Sequence, residues 1–301
     1  EYAYGVGDEN VGYSGLVPTS FVLLGLVEYY KRFEDLEVLN ALLKSADAIY
    51  SQENNGYIVK AKINKSDVLN TNLLGAMALK EISLILPDSS TRRRLYDELS
   101  RRVIRKVLSY QSPNGKFPYH FESRSLPVLY QSMVSAQLRF LIVHYDDEII
   151  HKSASKAQKS LELYFKDSGY IDWDLANNHD KRGSMWAYSF ALASTDDANL
   201  EKRLLKILSK HRANKLFHGL DNISQEDKFF SAWIIFGLVW ATDKKNIKNN
   251  FGLVTNLKYV FLKMEYFLRR CRFYCKYLKN KVYNFPFDSG ALENRFWVKD
   301  P

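Results

Sequence analysis

The sequence predicts an all-α fold, a ring of helical hairpins in which inner and outer helices alternate. Three observations carry this expectation. Helix-length stretches of two kinds alternate along the chain, one apolar on nearly all sides and one amphipathic and charged. Short polar turns join the first kind to the second, while the return connections are longer. Those longer connections repeat one design, a glycine followed by alternating aromatic and polar residues: "NNGYIVK" at 54–60, "NGKFPYHF" at 114–121 and "SGYIDWD" at 168–174.

Taken in order, the first hairpin pairs an apolar inner helix over 18–30 with an amphipathic outer helix over 36–50, joined by "KRFED". The second pairs 68–82 with 91–110, and the third pairs 130–145 with 149–165 through "YDDE", whose acids suit a helix cap. The fourth pairs 182–193 with 198–211, and the fifth pairs 227–241 with 254–278. A helix that is apolar on every side must be surrounded by protein, and an amphipathic one keeps a wet face. Gly56, Gly115 and Gly169 are expected to supply the positive φ that ends the outer helix before each long loop. Five to six hairpins are enough to close a ring, which gathers the long loops over one central cavity. A linear solenoid would instead lay the same loops along a face.

Composition supports a large core. Apolar residues make up 46% of the 301 and aromatics 14%, with only 14 Gly and 7 Pro, which excludes collagenous and disordered chains. No low-complexity tract or linker interrupts the sequence, so a single domain over 1–301 is expected. The longest apolar run, 229–241, is short of the roughly 20 residues that cross a bilayer, so no transmembrane segment is expected. The acidic start "EYAYGVGDENVGY" lacks the apolar core of a signal peptide. Cys271 and Cys275, four apart on one predicted helix, read as reduced thiols, and together these features point to the cytoplasm.

The net charge of +9 concentrates at 92–106 and 244–281. It fits a polyanionic partner (acidic glycan, nucleic acid or phospholipid surface) or simply the wet faces of outer helices. No helix-turn-helix, zinc-finger or RNP signature favours nucleic acid. Nor is there a GxxxxGK[ST], HExxH, GxSxG or clean GxGxxG motif, so no cofactor and no metal are expected.

If the loops line a cavity, the polar residues at loop ends and inner-helix starts carry the chemistry. Asp67, Asn70 and Thr71 share a helix face, although Asp67 is also a natural N-cap. Asn70 and Asn72 stand in an otherwise apolar helix and need hydrogen-bond partners, from a sugar hydroxyl or a neighbouring loop. In 117–121 the aromatic alternation packs one face and turns His120 to the other, as an acid or base or as a structural histidine. Tyr119, Tyr130 and Gln131 are candidates for binding. Asp172 and Asp174 flank Trp173 on what reads as an extended segment, and paired carboxylates in unlike environments divide into an acid and a base. Trp173 and Trp186 offer stacking surfaces. Arg182, Asp227 and Arg295 lie in later polar passages, where an arginine suits a carboxylate bidentately.

Inner/outer alternation with Gly-aromatic loops resembles the (α/α) toroids of glycoside hydrolases, polysaccharide lyases and uronyl epimerases, and the related architecture of terpenoid cyclases and prenyltransferases. "VLNTNLLGAMAL", "SPNGKFPYHF" and "FDSGALENRFW" are also similar to VpsJ-type proteins of bacterial exopolysaccharide clusters. The resemblance covers most of the chain and implies an (α/α) toroid acting on an oligo- or polysaccharide, acidic by the charge balance. The reaction would be hydrolysis, β-elimination or epimerisation, within bacterial polysaccharide biosynthesis or modification. The alternative is a glycan-binding or assembly protein without chemistry. A terpenoid-processing role is disfavoured, because "YDDEIIH" sits on the wrong rim for an aspartate-rich diphosphate motif.

Overall fold

The computed structural model describes residues 16–59, 68–121, 128–175 and 184–214. The chain divides into two units, Tyr13–Lys244 and a second that joins Glu1–Gly12 to Lys245–Pro301, and every described residue belongs to the first. Those residues form α1 (Leu16–Phe33), α2 (Leu36–Tyr50), β1 (Glu53–Asn54), β2 (Tyr57–Ile58), α3 (Leu69–Ile85), α4 (Thr91–Leu108), α5 (Val128–Leu141), α6 (Glu148–Glu162), α7 (Ser184–Ser194) and α8 (Ala198–Asn214). The all-α class is as the sequence predicts, and so are four of the hairpins with their inner and outer members. The fifth, over 227–241 and 254–278, lies outside the described residues.

The layers follow from the side chains. The helix α3 is buried on every side from Leu69 to Ser83, and α5 is buried from Gln131 to Leu138. Both are apolar enough all round to need neighbours on every face. In α4 only the stripe of Tyr96, Leu99, Ser100, Val103, Ile104 and Val107 is buried, so that helix keeps a wet side. The inner helices α1, α3, α5 and α7 pack side by side in chain order, each covered by its own outer helix. Acidic and hydroxyl caps start the outer helices after the short turns. Asp35 accepts from the Glu37 and Val38 amides at 2.9 and 3.4 Å, Ser90 from Arg93 at 3.4 Å and Asp147 from Ile149 at 2.9 Å. The acids of "YDDE" therefore supply a cap.

At this short-turn rim, ion pairs and a histidine–carboxylate hydrogen bond join the C-terminal ends of successive inner helices. Lys31 of α1 meets Glu81 of α3 at 2.8 Å, Glu81 meets His144 just after α5 at 3.0 Å, and Arg139 of α5 meets Asp196 just after α7 at 2.9 Å. Because the inner helices are aligned this way, the Gly-aromatic loops that precede them share the opposite rim.

Each long loop is a tight β-turn. Gly56, Gly115 and Gly169 have φ of 84°, 88° and 85°. They do not end the helices, however, which close earlier on Ser51, Ser109 and Leu163 in ordinary right-handed geometry. In the second loop Gly115 N–H donates to the Ser112 carbonyl and Ser112 N–H to the Lys116 carbonyl, both at 2.9 Å. The third loop repeats the pattern, from Gly169 to Lys166 at 2.7 Å and from Lys166 to Tyr170 at 2.9 Å. This is a three-residue hairpin whose final residue requires positive φ. In the first, Asn55 and Gly56 both have positive φ, as a two-residue hairpin between β1 and β2 demands.

Every one of these loops is completed by the following hairpin. Gly56 faces Lys106 of α4, Gly115 faces the backbone of Lys156 in α6, and Gly169 faces Arg203 of α8. Two residues beyond each glycine, a backbone N–H is held by a polar side chain near the start of the next inner helix. Ile58 donates to Asn72 at 2.7 Å, Phe117 to Gln131 at 2.9 Å and Ile171 to the Tyr188 hydroxyl at 3.3 Å. Buried amides need such partners, and the loop cannot supply its own.

Candidate functional site

The second loop brings chemistry-bearing side chains together over the starts of α3 and α5. Its Tyr119 carbonyl accepts from the Leu69 N–H at 3.2 Å, and His120 pairs with Val68 in an isolated antiparallel bridge. The loop is thereby fixed to the N-terminal end of α3, while the Phe117–Gln131 bond fixes it to α5. Tyr119 then lies against Tyr130 with ring centres 4.4 Å apart, and against His120 at 5.6 Å. All three side chains are half-buried. Beside them Phe121 packs between Tyr110 at 4.5 Å and Tyr57 at 5.6 Å, and Tyr57 accepts a hydrogen bond from Asn54 at 3.0 Å. Tyr119, His120 and Tyr130 therefore lie together at one place on the rim. It has two phenols and an imidazole, with aromatic surface alongside.

The aspartate pair is arranged differently from expectation. Residues 173–175 form a turn rather than an extended segment, so Asp172 and Asp174 do not share a strand face. The Asp172 carboxylate accepts from the Asp174 and Leu175 amides at 3.2 and 3.3 Å, with Lys166 at 3.8 Å. It closes its own turn, as aspartates before turns commonly do. Asp174 stands exposed, and Trp173 is half-buried against the core.

Gln131 is corrected as well. Its amide is consumed by backbone, accepting from Phe117 at 2.9 Å and donating to the Gly115 and Ala157 carbonyls at 3.2 Å each. Asn70 is buried against α5, its Nδ2 3.8 Å from the Met133 sulfur and its backbone carbonyl accepting from Gln137 at 2.9 Å, while its side-chain Oδ1 is buried without a hydrogen-bond partner among the described residues. Asn72 finds the neighbouring loop that its sequence context required. The N-cap position of α3 is Val68. Asp67, Arg182, Asp227 and Arg295 lie outside the described residues, as does the side chain of Trp186 in α7. Among the described residues no group of His, Cys, Asp and Glu could hold a metal ion, and no helix is long and apolar enough to cross a membrane.

The basic outer helix resolves into ion pairs. Arg92 meets Asp47, Arg93 meets Asp88, Arg94 meets Glu98, Arg101 meets Asp97, Arg102 meets Glu53 and Arg105 meets Asp147, all within 4.0 Å. Each arginine of α4 thus has a carboxylate neighbour, and much of that helix's field is cancelled locally.

Sequence reasoning missed Glu81, whose side chain is only 6% exposed between Lys31 and His144. An acid within an apolar helix is the signal that pointed to it. Burial alone would raise its carboxyl, but hydrogen bonds from His144 and Lys31 outweigh burial and hold it below the ordinary value of 4.5. A depressed folded-state value means the contribution to stability is complete above pH 4.5 and fades as pH falls through the lower native value. Urea midpoints measured from pH 6 to pH 3 should therefore fall steeply below about 4.5. Glu81→Gln should flatten that acid limb, and an unchanged slope would show that other carboxylates govern it.

No family model matches this chain, and no curated protein matches it. Among solved structures it is similar to the unsaturated glucuronyl hydrolase of Bacillus sp. GL1, responsible for the degradation of glycosaminoglycan. The two are 11% identical with a TM-score of 0.49, over 73% of this chain and 61% of that one. It is also similar to a polysaccharide lyase, at 15% identity and a TM-score of 0.45, over 72% of this chain and 64% of the other. The chain therefore spans less than two thirds of the length of either protein.

Proposed function

We propose that this is a glycan-active protein whose Gly-aromatic rim takes an acidic oligo- or polysaccharide, in bacterial polysaccharide biosynthesis or modification. One observation carries the reading. Tyr119, His120 and Tyr130 meet, half-buried, above the starts of two adjacent inner helices, with Trp173 packed on the following loop. Aromatic faces suit the C–H faces of sugar rings, and phenol and imidazole suit proton transfer. β-Elimination and epimerisation at a uronate both begin by removing the proton next to the carboxylate. They end by returning a proton, to the leaving oxygen or to the same carbon. A histidine and a tyrosine divide these roles naturally. This reading is preferred to hydrolysis by Asp172 and Asp174, because the Asp172 carboxylate is already engaged by two backbone amides.

The test uses acidic oligosaccharides and follows the ultraviolet absorbance of an unsaturated product, with NMR for epimerised sugar. His120→Gln and Tyr119→Phe should each lower turnover by about 10² or more while binding persists. Binding by the wild-type protein with no product under either assay would favour the glycan-binding reading. Full activity in both variants would return the search to Asp174 and to Asp67.

A further inference from the structure

We propose that Lys106 and Lys116 are charge-reading positions, repeated from one hairpin to the next along the Gly-aromatic rim, for a ligand that carries negative charge at intervals along a chain. The inference rests on the glycan reading above and specifies the ligand's charge pattern: an acidic oligosaccharide with at least two charged residues, in preference to a single acidic sugar.

The argument begins with where positive charge is left uncancelled. The arginines of α4 are each beside a carboxylate, as described. Lys106, in the last turn of the same helix, is not. Its ammonium sits over the Tyr110 ring, 5.7 Å from the centre. Lys116, directly after Gly115, has its ammonium 4.6 Å from the centre of the Tyr164 ring. Both lysines are half-buried, and neither has a carboxylate partner among the described residues. An aromatic face attracts a cation without neutralising it, so the full charge remains available to an incoming anion. Lys44, Lys156 and Lys159, by contrast, are exposed, where water screens them.

The two tyrosines occupy related places in the repeat, although their lysines come from different elements, Lys106 from α4 itself and Lys116 from the loop that follows α4. Tyr110 lies two residues beyond the end of α4, and Tyr164 lies two residues beyond the end of α6. Consecutive outer helices thus each end in a tyrosine that carries a lysine ammonium on its ring at the same rim. The two positions belong to the ends of successive outer helices, so a chain of acidic sugars lying along the rim can engage both at once, which a single acidic sugar bound at one position does not do. The Tyr57–Phe121–Tyr110 group lies beside the first position and offers ring surface to the same chain.

The experiment is calorimetry on the full chain with four probes: a tetrameric oligoglucuronate, glucuronic acid itself, a neutral gluco-oligosaccharide of the same length, and a single-stranded oligonucleotide. Lys106→Met and Lys116→Met keep the apolar stems and remove the charges. Each should weaken the acidic tetramer by about fivefold and make its binding less salt-dependent, leaving the neutral oligomer unchanged. Lys106→Arg should restore the affinity, because it keeps both charge and stacking. Thermal melts of all variants should lie close to the wild type, since neither charge has a carboxylate partner among the described residues.

Wild-type binding of the acidic tetramer with both Met variants indifferent would overturn this assignment and leave the glycan reading standing. So would equal losses for glucuronic acid and the tetramer, or equal losses in Arg94→Gln and Arg102→Gln, which would indicate bulk charge. Tighter binding of the oligonucleotide than of any sugar would overturn it in favour of nucleic acid. A wild-type protein that binds no oligosaccharide would remove the glycan reading and this inference together.

Discussion

Gly115→Ala is expected to lower the stability of the described unit by about 4 kcal/mol, among the largest losses that any single methyl group can cause here. Two penalties combine. At φ 88° an L-residue is strained, which alone costs about 1–2 kcal/mol. The added Cβ would also fall inside the van der Waals surface of the Lys156 carbonyl of α6, and next to Lys156 Cβ at 3.2 Å. A carbonyl within a helix cannot rotate away, so the loop must lift from the neighbouring hairpin. Gly56→Ala provides the control. Its φ of 84° imposes the same strain, but the nearest atom to a new Cβ is Lys106 Cβ at 3.9 Å, an ordinary contact. That variant should lose only about 1–2 kcal/mol. Urea melts of the two proteins check the difference, and equal losses would mean that conformational strain alone matters.

Gln131→Leu should be nearly as damaging, at about 3 kcal/mol. Leucine fills similar volume, so the effect isolates hydrogen bonding from packing. The substitution strands the Phe117 N–H in the core, while the Ala157 carbonyl keeps its helical bond within α6 and the Gly115 carbonyl retains the Gln111 amide at 3.2 Å. Stranded buried backbone groups cost more than the bonds contributed when formed. Gln131→Glu discriminates further. It keeps the acceptor for Phe117 but loses both donated bonds, so its melting temperature should lie between wild type and Gln131→Leu only at low pH, where the carboxyl is protonated. Retained stability together with lost ligand binding in Gln131→Leu would instead reinstate this residue as a contact for substrate.

Much of the helical frame was legible because it depends on periodicity. Predicted and observed helices agree within a few residues in each of the four described hairpins, since a buried helix and a half-wet one write different patterns. Asp147 was legible as a cap because a cap needs only a short polar side chain before an apolar run. The candidate site was legible in part. Tyr119, His120 and Tyr130 emerged from the aromatic alternation and from the start of an inner helix. The errors share one physical origin. Gln131 and Asp172 are polar residues in demanding surroundings, and sequence alone does not distinguish a side chain that awaits a ligand from one that completes a turn. Their partners are backbone groups, which carry no signature in the sequence. Gly115 was recognised for its positive φ but misplaced at a helix end, because a helix terminus and a three-residue hairpin make the same demand on φ. The arginines of α4 misled in the opposite way. Their carboxylates come from α2, β1 and the turns before α4 and α6 as well as from α4 itself, so the linear sequence displays the charge but not its cancellation.

The way each loop leans on the hairpin after it has a consequence for how the chain is made. During synthesis the first loop emerges before Asn72 and α4 exist, and the second before Gln131 and α6. Each newly formed helix pair therefore leaves the ribosome with an unfinished end, its turn amides still bonded to water until the following pair arrives to receive them. Folding during synthesis is then expected to advance pair by pair, each new pair completing the one before it. A ribosome stalled between two pairs would expose one aromatic loop and no more, whichever pair it had reached.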